Sequence, residues 1–206
     1  MTTPTPTPGL RERKKQRTRQ TLSDTAVRLF LEKGYDQVSV AEVAAAAEVS
    51  KPTLFRYFAA KEDLVLYRFA DHEDEAARVV AERPEGESAL TALRRSFVEG
   101  LQRRDPVTGL CDVPGVLAYL RLLYGTPALV ARMYGYQERS ERALADALGG
   151  PAVAARLAAG QIVAVQRILA MENVRRIMAG ESADAIEADA VRAAELGFRQ
   201  LAQGLT

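Results

Sequence analysis

Helical patterning without any alternating segment is the feature that most constrains the fold of this chain of 206 residues. Ala, Leu, Arg and Glu dominate, and no stretch alternates apolar and polar residues long enough to make a convincing strand. The interruptions, which carry glycine, proline or capping residues, fall at Gly34, 84–86, 105–106, 109–114, 125–127, 149–151 and 180–182. They leave about nine helices, so we predict an all-α fold.

Composition excludes several classes of protein. The apolar fraction of 48% is ample for a buried core. With one cysteine, Cys111, and one histidine, His72, the chain is not expected to hold a disulfide framework, a cysteine and histidine zinc site or a Cys/His catalytic pair. No apolar run approaches 18 residues, and residues 1–9 lack the apolar stretch of a signal peptide. We therefore expect a cytoplasmic protein with no membrane partner.

Charge is distributed unevenly, although the formal net charge is +1. Residues 1–70 carry 12 Lys and Arg against 8 Asp and Glu, whereas the remainder carries 16 against 19. A cationic arm near the N-terminus supplies most of the excess positive charge. Such an arm is suited to binding an anionic polymer or a membrane surface; the alternative is that it is a solvated tail. Its cations are Arg11, Arg13, Lys14, Lys15, Arg17 and Arg19. We expect residues 1–10 to form a disordered tail.

A first helix is predicted over residues 14–33. One of its faces is apolar and belongs in a core, while the other carries charge of the arm. Gly34 is placed as its left-handed stop. The apolar stripe consists of Leu22, Ala26, Leu29 and Phe30.

A helix-turn-helix pattern follows. Ser39 and Glu42 form a capping box that starts a helix at Val40, and Ser50 caps a further helix over 51–58. Two short helices joined by a three-residue turn place the second helix in the major groove of DNA.

The helix over 51–58 has a buried and an exposed face. Leu54 and Phe58 are spaced to share the buried face. On the other face, Arg56 can read guanine through two hydrogen bonds, and Phe55 can press on a thymine methyl group. The residues predicted to face outward are Lys51, Pro52, Phe55 and Arg56; those suited to phosphate are Thr53, Tyr57 and Lys61.

Residues 17–64 carry a family resemblance. It rests on Thr21, Ala26, Leu29, Phe30, Gly34, Tyr35, Ser39-Val40, Ala44, the run 49–58 and Lys61-Glu62-Asp63-Leu64. These residues closely resemble the DNA-binding domain of the TetR family of transcriptional regulators. The resemblance implies a DNA-binding domain over 11–60 and a helical domain over 61–206 that binds a ligand and forms a homodimer. It implies base-reading positions for Lys51, Pro52, Phe55 and Arg56 and backbone-contacting positions for Ser39, Thr53, Tyr57 and Lys61, to which we add Arg17 of the arm.

Two residues depart from the family pattern. Phe55 stands where tyrosine is usual, so a contact through that hydroxyl is absent. Glu48 stands where glycine is common, so the turn either holds Glu48 at positive φ, at a cost of about 1 kcal/mol, or uses another geometry. A carboxylate near DNA would also weaken binding.

The last two long helices are predicted to form the dimer interface. Both are rich in alanine and apolar residues, which permits a four-helix bundle across a two-fold axis. The alternative is that both helices pack only on the core of their own chain. The candidate interface residues are Leu157, Val165, Ile168, Ile186, Val191, Phe198 and Leu201.

A pocket for an effector is predicted between residues 88 and 148. Four of the seven tyrosines fall in an 18-residue window there, and tyrosine suits amphipathic pockets. The candidates are Phe97, Leu101, Tyr119, Leu123, Met133, Tyr134 and Gln137, each of which could instead be an ordinary core residue. This region also resembles actinobacterial members related to the mycofactocin-system regulator. That resemblance implies an acyl-coenzyme A or similarly long apolar effector, with Arg94, Arg95 or Arg121 meeting a phosphate or carboxylate.

Catalysis and metal binding are not indicated. His72 lies among acids whose neighbouring positions on a helix point in different directions, so a solvated surface is favoured over a metal site. Cys111 is favoured as an apolar filler over a redox sensor because the chain has no resolving thiol. No nucleophile, base and orienting group are grouped, and no cofactor is expected.

The sequence thus predicts a ligand-responsive homodimeric repressor that binds a palindromic DNA operator. A helix over about 61–82 is expected to carry the displacement from the ligand domain to the reader. The alternatives are an activator or an effector-independent regulator of the same fold and, from a different class, a helical enzyme.

Overall fold

The computed structural model describes residues 9–70 and 72–204, which are helical with no strand among them. A 3-10 turn, Pro106–Thr108, precedes the seventh helix. The helices are α1 (Leu10–Lys33), α2 (Val40–Ala46), α3 (Lys51–Phe55), α4 (Lys61–Ala70), α5 (Glu75–Ala81), α6 (Ala89–Gln102), α7 (Pro114–Gly125), α8 (Pro127–Leu148), α9 (Ala152–Met178) and α10 (Ala183–Gln203). The all-α prediction is confirmed, with ten described helices where about nine were expected.

The predicted disordered tail falls mostly outside the described residues. Residues 1–8 are not described, whereas Leu10 begins α1, four residues before the predicted start. The described part of the cationic arm is therefore helical.

The chain divides into two compact units. The first comprises Met1–Ala70 with Arg121–Ala131, and the second comprises Asp71–Leu120 with Arg132–Thr206. The first unit thus extends through α4, ten residues beyond the boundary predicted at residue 60. Each unit is described separately below.

The helix expected over 61–82 is two helices in the structure. α4 ends at Ala70 and α5 begins at Glu75, with residues 72–74 in a turn. The physical reason is the acidic run through this segment, because neighbouring like charges and the low helix propensity of Asp and His disfavour a continuous helix. Asp74 instead takes the N-cap position of α5.

In the first unit, α1 packs against α2 and α4. The predicted stripe of α1 is buried, and Ser23 is buried beside it. The Ser23 hydroxyl donates to the carbonyl of Leu64 at 2.7 Å, which fastens α1 to α4. The rings of Phe30 and Tyr35 lie with centroids 5.0 Å apart and close the end of this core.

The helix-turn-helix is formed by α2 and α3, and both predicted serine caps are present. Ser39 Oγ accepts from the Glu42 amide at 3.1 Å, and Ser50 Oγ accepts from the Thr53 amide at 3.2 Å. The Glu42 carboxylate pairs with Lys33 Nζ at 2.5 Å, and this hydrogen bond lowers the pKa of Glu42.

The third helix is shorter than predicted. α3 ends at Phe55, because the amide of Tyr57 donates to the carbonyl of Leu54, three residues back, at 2.9 Å and tightens the last turn. Phe58 follows outside the helix, and its side chain is still buried.

In the second unit, α10 packs against α6 and α9. Phe97 and Phe198 contact each other across the core with ring centroids 6.1 Å apart. The 3-10 turn is followed by Gly109 at φ 74, where a Cβ would lie 2.1 Å from the carbonyl oxygen of Ala170, so this close approach requires glycine. Asn173 is buried and donates to the carbonyl of Thr108 at 2.9 Å, which holds the turn on α9.

α9 is a single described helix that is long and apolar enough, by length and composition, to cross a membrane. Only 11% of its apolar stretch is buried within the described chain. Extended exposed apolar surfaces are typical of contacts with another protein or with a membrane.

Candidate nucleic-acid interface

α3 exposes a cation and an aromatic ring to solvent, while a leucine on its other face is buried in the core. Leu54 is fully buried, whereas Phe55 is 44% exposed. Lys51 Nζ lies 5.9 Å from the centroid of the Phe55 ring, and Arg56 is exposed next to that ring. The structure therefore brings together the predicted outward-facing residues Lys51, Pro52, Phe55 and Arg56, all of which are exposed.

Three residues with hydroxyl groups, Ser39, Thr53 and Tyr57, are predicted to contact the DNA backbone. Ser39 is exposed at the start of α2, while Thr53 and Tyr57 are half-buried. The hydroxyls of Thr53 and Ser50 lie 2.8 Å apart. Because Ser39 Oγ accepts its capping hydrogen bond, its own O–H remains available as a donor.

Lys61, predicted to meet phosphate, is held inside the first unit. Its Nζ donates to the carbonyl of Tyr35 at 2.5 Å and lies 4.1 Å from the centroid of the Tyr35 ring. Burial lowers the pKa of Lys61. The Tyr35 hydroxyl donates to Glu62 at 2.8 Å, so residues from the α1–α2 loop and α4 together fix the ammonium. A phosphate contact would have to use its remaining donors.

The turn between α2 and α3 contains Glu48 in the left-handed region at φ 56. Of the two alternatives that the sequence leaves open, the structure adopts positive φ. The carboxylate is exposed.

The arm adds cations to the first unit. Its described side chains over 11–17 are exposed on all sides of α1, Arg17 among them. The arm is thus a helical extension with positive charge around its circumference.

The predicted ligand residues are divided between core and surface. Phe97, Leu101, Tyr119 and Leu123 are buried, and Met133 and Gln137 are half-buried. Tyr134, in contrast, is 74% exposed, so its ring lies on the surface and does not line an enclosed pocket. The periodicity of α8 could not separate these cases, because a tyrosine is compatible with either environment.

A cleft of about 270 Å³ lies elsewhere, between α8 and α9. Its lining is mostly charged and consists of Glu138, Glu141, Arg142, Val153, Arg156 and Leu157. Two arginines considered for an anionic effector are already paired: Arg94 with Glu195 at 2.6 Å and Arg95 with Glu87 at 3.1 Å. Arg121 is exposed.

The predicted dimer residues are likewise divided. Leu157 and Ile168 are 61% and 58% exposed, and Val165, Val191 and Leu201 are half-buried. Ile186 and Phe198, at 0% and 2% exposed, belong to the core of their own unit and are not available to a partner. Sequence reasoning missed Val153 and Leu196, which are also exposed; Val153 is one helical turn before Leu157, a spacing that could have revealed it.

The single histidine and the single cysteine of the chain are the residues that bear on metal binding and redox chemistry. His72 Nδ1 lies 2.7 Å from Glu75 Oε2, and this hydrogen bond lowers the pKa of Glu75. Cys111 is buried. Over residues 9–70 and 72–204, no group of three or more His, Cys, Asp or Glu side chains could hold a metal ion.

Comparison with known proteins agrees with this geometry. Residues 22–67 match the sequence pattern of "Bacterial regulatory proteins, tetR family". The chain is 38% identical over 139 residues to the HTH-type transcriptional regulator TcmR of Streptomyces glaucescens, a match that covers 67% of this chain and 62% of TcmR.

A second relative matches the group indicated by the C-terminal resemblance. It is MftR of Mycobacterium tuberculosis, whose name proposes a transcriptional regulator of mycofactocin biosynthesis, and it is 28% identical over 120 residues, or 54% of this chain and 61% of MftR. The chain therefore spans less than two thirds of the length of either relative.

A solved structure shows the same fold. The transcriptional regulator FadR of Bacillus subtilis, in complex with stearoyl-CoA, has a TM-score of 0.52 and 16% identity, covering 91% of this chain and 99% of FadR. With its helix-turn-helix and its all-helical fold, the chain carries over residues 22–67 a DNA-binding domain of the TetR type, and it is similar in sequence and fold to bacterial transcriptional regulators of that family.

Proposed function

We propose that this chain is a homodimeric repressor that binds a palindromic DNA operator and is released by a small apolar effector. The main support for the proposal is the exposed face at α3. Phe55 and Arg56 are exposed there, while Leu54 is fully buried and fixes the helix to the core. Phe55, together with the exposed cations Lys51 and Arg56, offers both apolar and charged contacts to a partner.

The chemistry of this face suits base edges. Arg56 and Lys51 offer donors that match the two major-groove acceptors of guanine, and Phe55 offers an apolar surface for the methyl group of thymine. Pro52 has no N–H and is tolerated in the first turn of α3, where an N–H has no partner within the helix. We assign direct reading of sequence to these four residues.

Backbone contacts would position the reader. We assign them to the hydroxyl groups of Ser39, Thr53 and Tyr57, to Lys61, and to Arg17 on the arm. These groups give affinity for any DNA sequence, and the exposed cations of α1 make that affinity dependent on salt.

Dimerisation would cover the apolar surface of α9. Val153, Leu157 and Ile168 are separated by 4 and 11 residues, which places them on one side of the helix, and Leu196 is exposed on neighbouring α10. A second copy that lays the same face against this one buries these side chains, as a two-fold interface requires. It also supplies the second reader that a palindromic operator needs.

The effector would act by binding one conformation of the dimer more tightly than the other. FadR is solved with stearoyl-CoA, which supports a long apolar effector of the acyl-CoA type. In the second unit, the candidate contacts are Phe97, Leu101, Tyr119, Met133 and Gln137. Because Phe97 packs on Phe198, an apolar ligand there has to displace core contacts.

Regulation by binding makes catalysis unnecessary. We infer that the protein is not an enzyme and works in the cytoplasm, where its DNA is. The apolar length of α9 is assigned to the dimer interface and not to a membrane.

The test is selection of bound duplexes from a random DNA library by the purified full-length protein. We expect an inverted repeat whose half-sites are centred about one helical turn, roughly 34 Å, apart. Failure to enrich any sequence would contradict operator binding. Titration of the selected complex with acyl-CoAs of increasing chain length then tests the effector: release is expected, and unchanged binding throughout would remove the acyl-CoA assignment while operator binding stands.

A further inference from the structure

The turn before α3 is strained at Glu48. Its φ of 56 lies in the left-handed region, which glycine adopts freely and glutamate does not. The turn is closed by the amide of Glu48, which donates to Ala45 at 3.1 Å, and by the amide of Val49, which donates to Ala44 at 2.9 Å. The backbone thus needs the conformation, although nothing in it needs a carboxylate. Strained residues concentrate at functional sites.

The Glu48 carboxylate is free within the described chain. It makes no ion pair or hydrogen bond there, whereas neighbouring acids of the first unit are neutralised: Glu32 by Arg28, Glu42 by Lys33 and Asp24 by Arg68. An unneutralised carboxylate beside a DNA-reading helix repels phosphate. Both its hydrogen-bonding oxygens remain available to a ligand.

The exposed side chains of α2 are short. They are the methyl groups of Ala45 and Ala46, which lie next to the turn, and of Ala41 in the first turn of the helix. Side chains this short allow the edge of a duplex to approach the backbone of α2 closely. Glu48 is then the one long polar side chain between this methyl surface and Ser50, the cap of α3.

We propose that Glu48 is a specificity-determining residue that accepts a hydrogen bond from the N4 amino group of a cytosine in each half-site. The inference rests on the proposed function, since it requires α3 to lie in the major groove. The hydrogen bond from cytosine gives the carboxylate a favourable partner. Only where this base is present does the bond offset the repulsion between the carboxylate and the phosphates.

Cytosine is the base whose edge suits a lone carboxylate best. Its major-groove edge carries the N4 donor without an adjacent acceptor on the same base. Adenine places the N7 acceptor beside its amino group, and guanine and thymine present acceptors that repel a carboxylate. Glu48 therefore favours cytosine and rejects guanine and thymine with the same oxygen atoms.

The experiment compares Glu48→Ala and Glu48→Gly with the parent, using the selected duplex and a panel in which every base pair of one half-site is replaced. Both variants lack the carboxylate, but they differ in backbone strain. Alanine is strained at the φ of 56, whereas glycine adopts this φ without strain. Glu85→Ala is the matched control, since it removes one exposed carboxylate from the second unit.

We expect the parent to prefer cytosine over guanine at one position per half-site by about tenfold. Both Glu48 variants should lose that preference and keep the others, and Glu85→Ala should keep them all. Should both Glu48 variants instead strengthen binding to every duplex by one common factor with all preferences intact, the carboxylate only repels the backbone and the inference is wrong.

If the parent enriches no sequence at all, operator binding fails and Glu48 has no base to read. If the parent enriches an operator and Arg56→Ala changes its base preferences while both Glu48 variants do not, the inference about Glu48 alone is overturned.

Discussion

The ammonium of Lys61 donates to the backbone carbonyl of Tyr35, with the two atoms 2.5 Å apart, and joins the first residue of α4 to the loop between α1 and α2. It also lies 5.2 Å from the centroid of the Phe30 ring. The sequence predicts only a contact with a DNA phosphate for Lys61. In the structure Lys61 also packs against the core of the DNA-binding unit.

Replacement of this ammonium should destabilise the first unit. Lys61→Met keeps the length of the side chain but loses the hydrogen bond and the contact with two rings, so we expect a loss of about 1–2 kcal/mol in the free energy of unfolding. Urea denaturation measures the loss. Lys14→Met, which removes an exposed cation of α1, is the control and should change stability by less than about 0.5 kcal/mol. Equal effects of the two substitutions would refute the structural role.

Tyr35 should make stability sensitive to alkaline pH. Burial and the hydrogen bond with Glu62 raise the pKa of Tyr35 well above its ordinary value. Above about pH 10 the unfolded chain loses this proton while the folded chain keeps it, so the free energy of unfolding falls as pH rises. The lowered pKa of Lys61 acts in the opposite direction.

The difference between the parent and Tyr35→Phe isolates the tyrosine, because Lys61 is present in both. Urea denaturation from about pH 9 to about pH 11.5 should show a steeper loss of stability in the parent than in Tyr35→Phe. Parallel curves would show that Tyr35 ionises equally in both states.

The arm should set the salt dependence of DNA binding. Replacement of Arg11, Arg13, Lys14 and Lys15 by glutamine keeps the length of α1 and removes four cations. If these cations meet phosphates, the slope of log affinity against log salt becomes shallower by up to about 3.6, with base preferences retained. Salt titration of both proteins measures the slope. An identical slope would make the arm a solvated extension.

Charged substitutions should distinguish residues of the dimer interface from residues of the core. Ile168→Glu and Leu157→Glu place a charge on the exposed face of α9 and should convert a dimer to a folded monomer, because a charge buried without a partner costs several kcal/mol. Phe198→Glu should instead unfold the second unit, since Phe198 is buried against Phe97. Sedimentation combined with circular dichroism distinguishes these outcomes.

The control for the interface is Val113→Glu, which introduces the same charge at another exposed apolar residue of the second unit, outside α9. It should sediment as the parent does. A monomeric parent, or α9 variants that remain folded dimers, would contradict the proposed interface.

Local signals predicted the DNA-binding unit well. Ser39 and Ser50 cap α2 and α3 through residues three positions away, and the stripe of α1 repeats at helical spacing, so all of these features are visible in short windows of sequence. The bond between Lys61 and Tyr35 joins residues 26 positions apart in a loop and a helix, and no spacing rule predicts it.

The second unit was less predictable because core and interface use the same residue types. Ile168 and Phe198 are both apolar residues on long helices, yet one is exposed and the other is packed against Phe97. Periodicity identifies an apolar face but does not say whether the chain itself or a second copy covers it. The sequence places Tyr134 among the pocket candidates for the same reason, whereas in the structure its side chain lies on the surface.

Replacement of Arg56, which follows α3, separates the reading of base sequence from general affinity for DNA. Affinities of the parent, Arg56→Ala and Tyr57→Phe are measured on the selected operator and on duplexes with each half-site base pair replaced, with Arg28→Ala, an exposed arginine of α1, as control. We expect Arg56→Ala to lose about 1–3 kcal/mol of discrimination at one base pair per half-site, while Tyr57→Phe weakens every duplex alike. Unchanged base preferences in Arg56→Ala would show that Arg56 does not read base sequence.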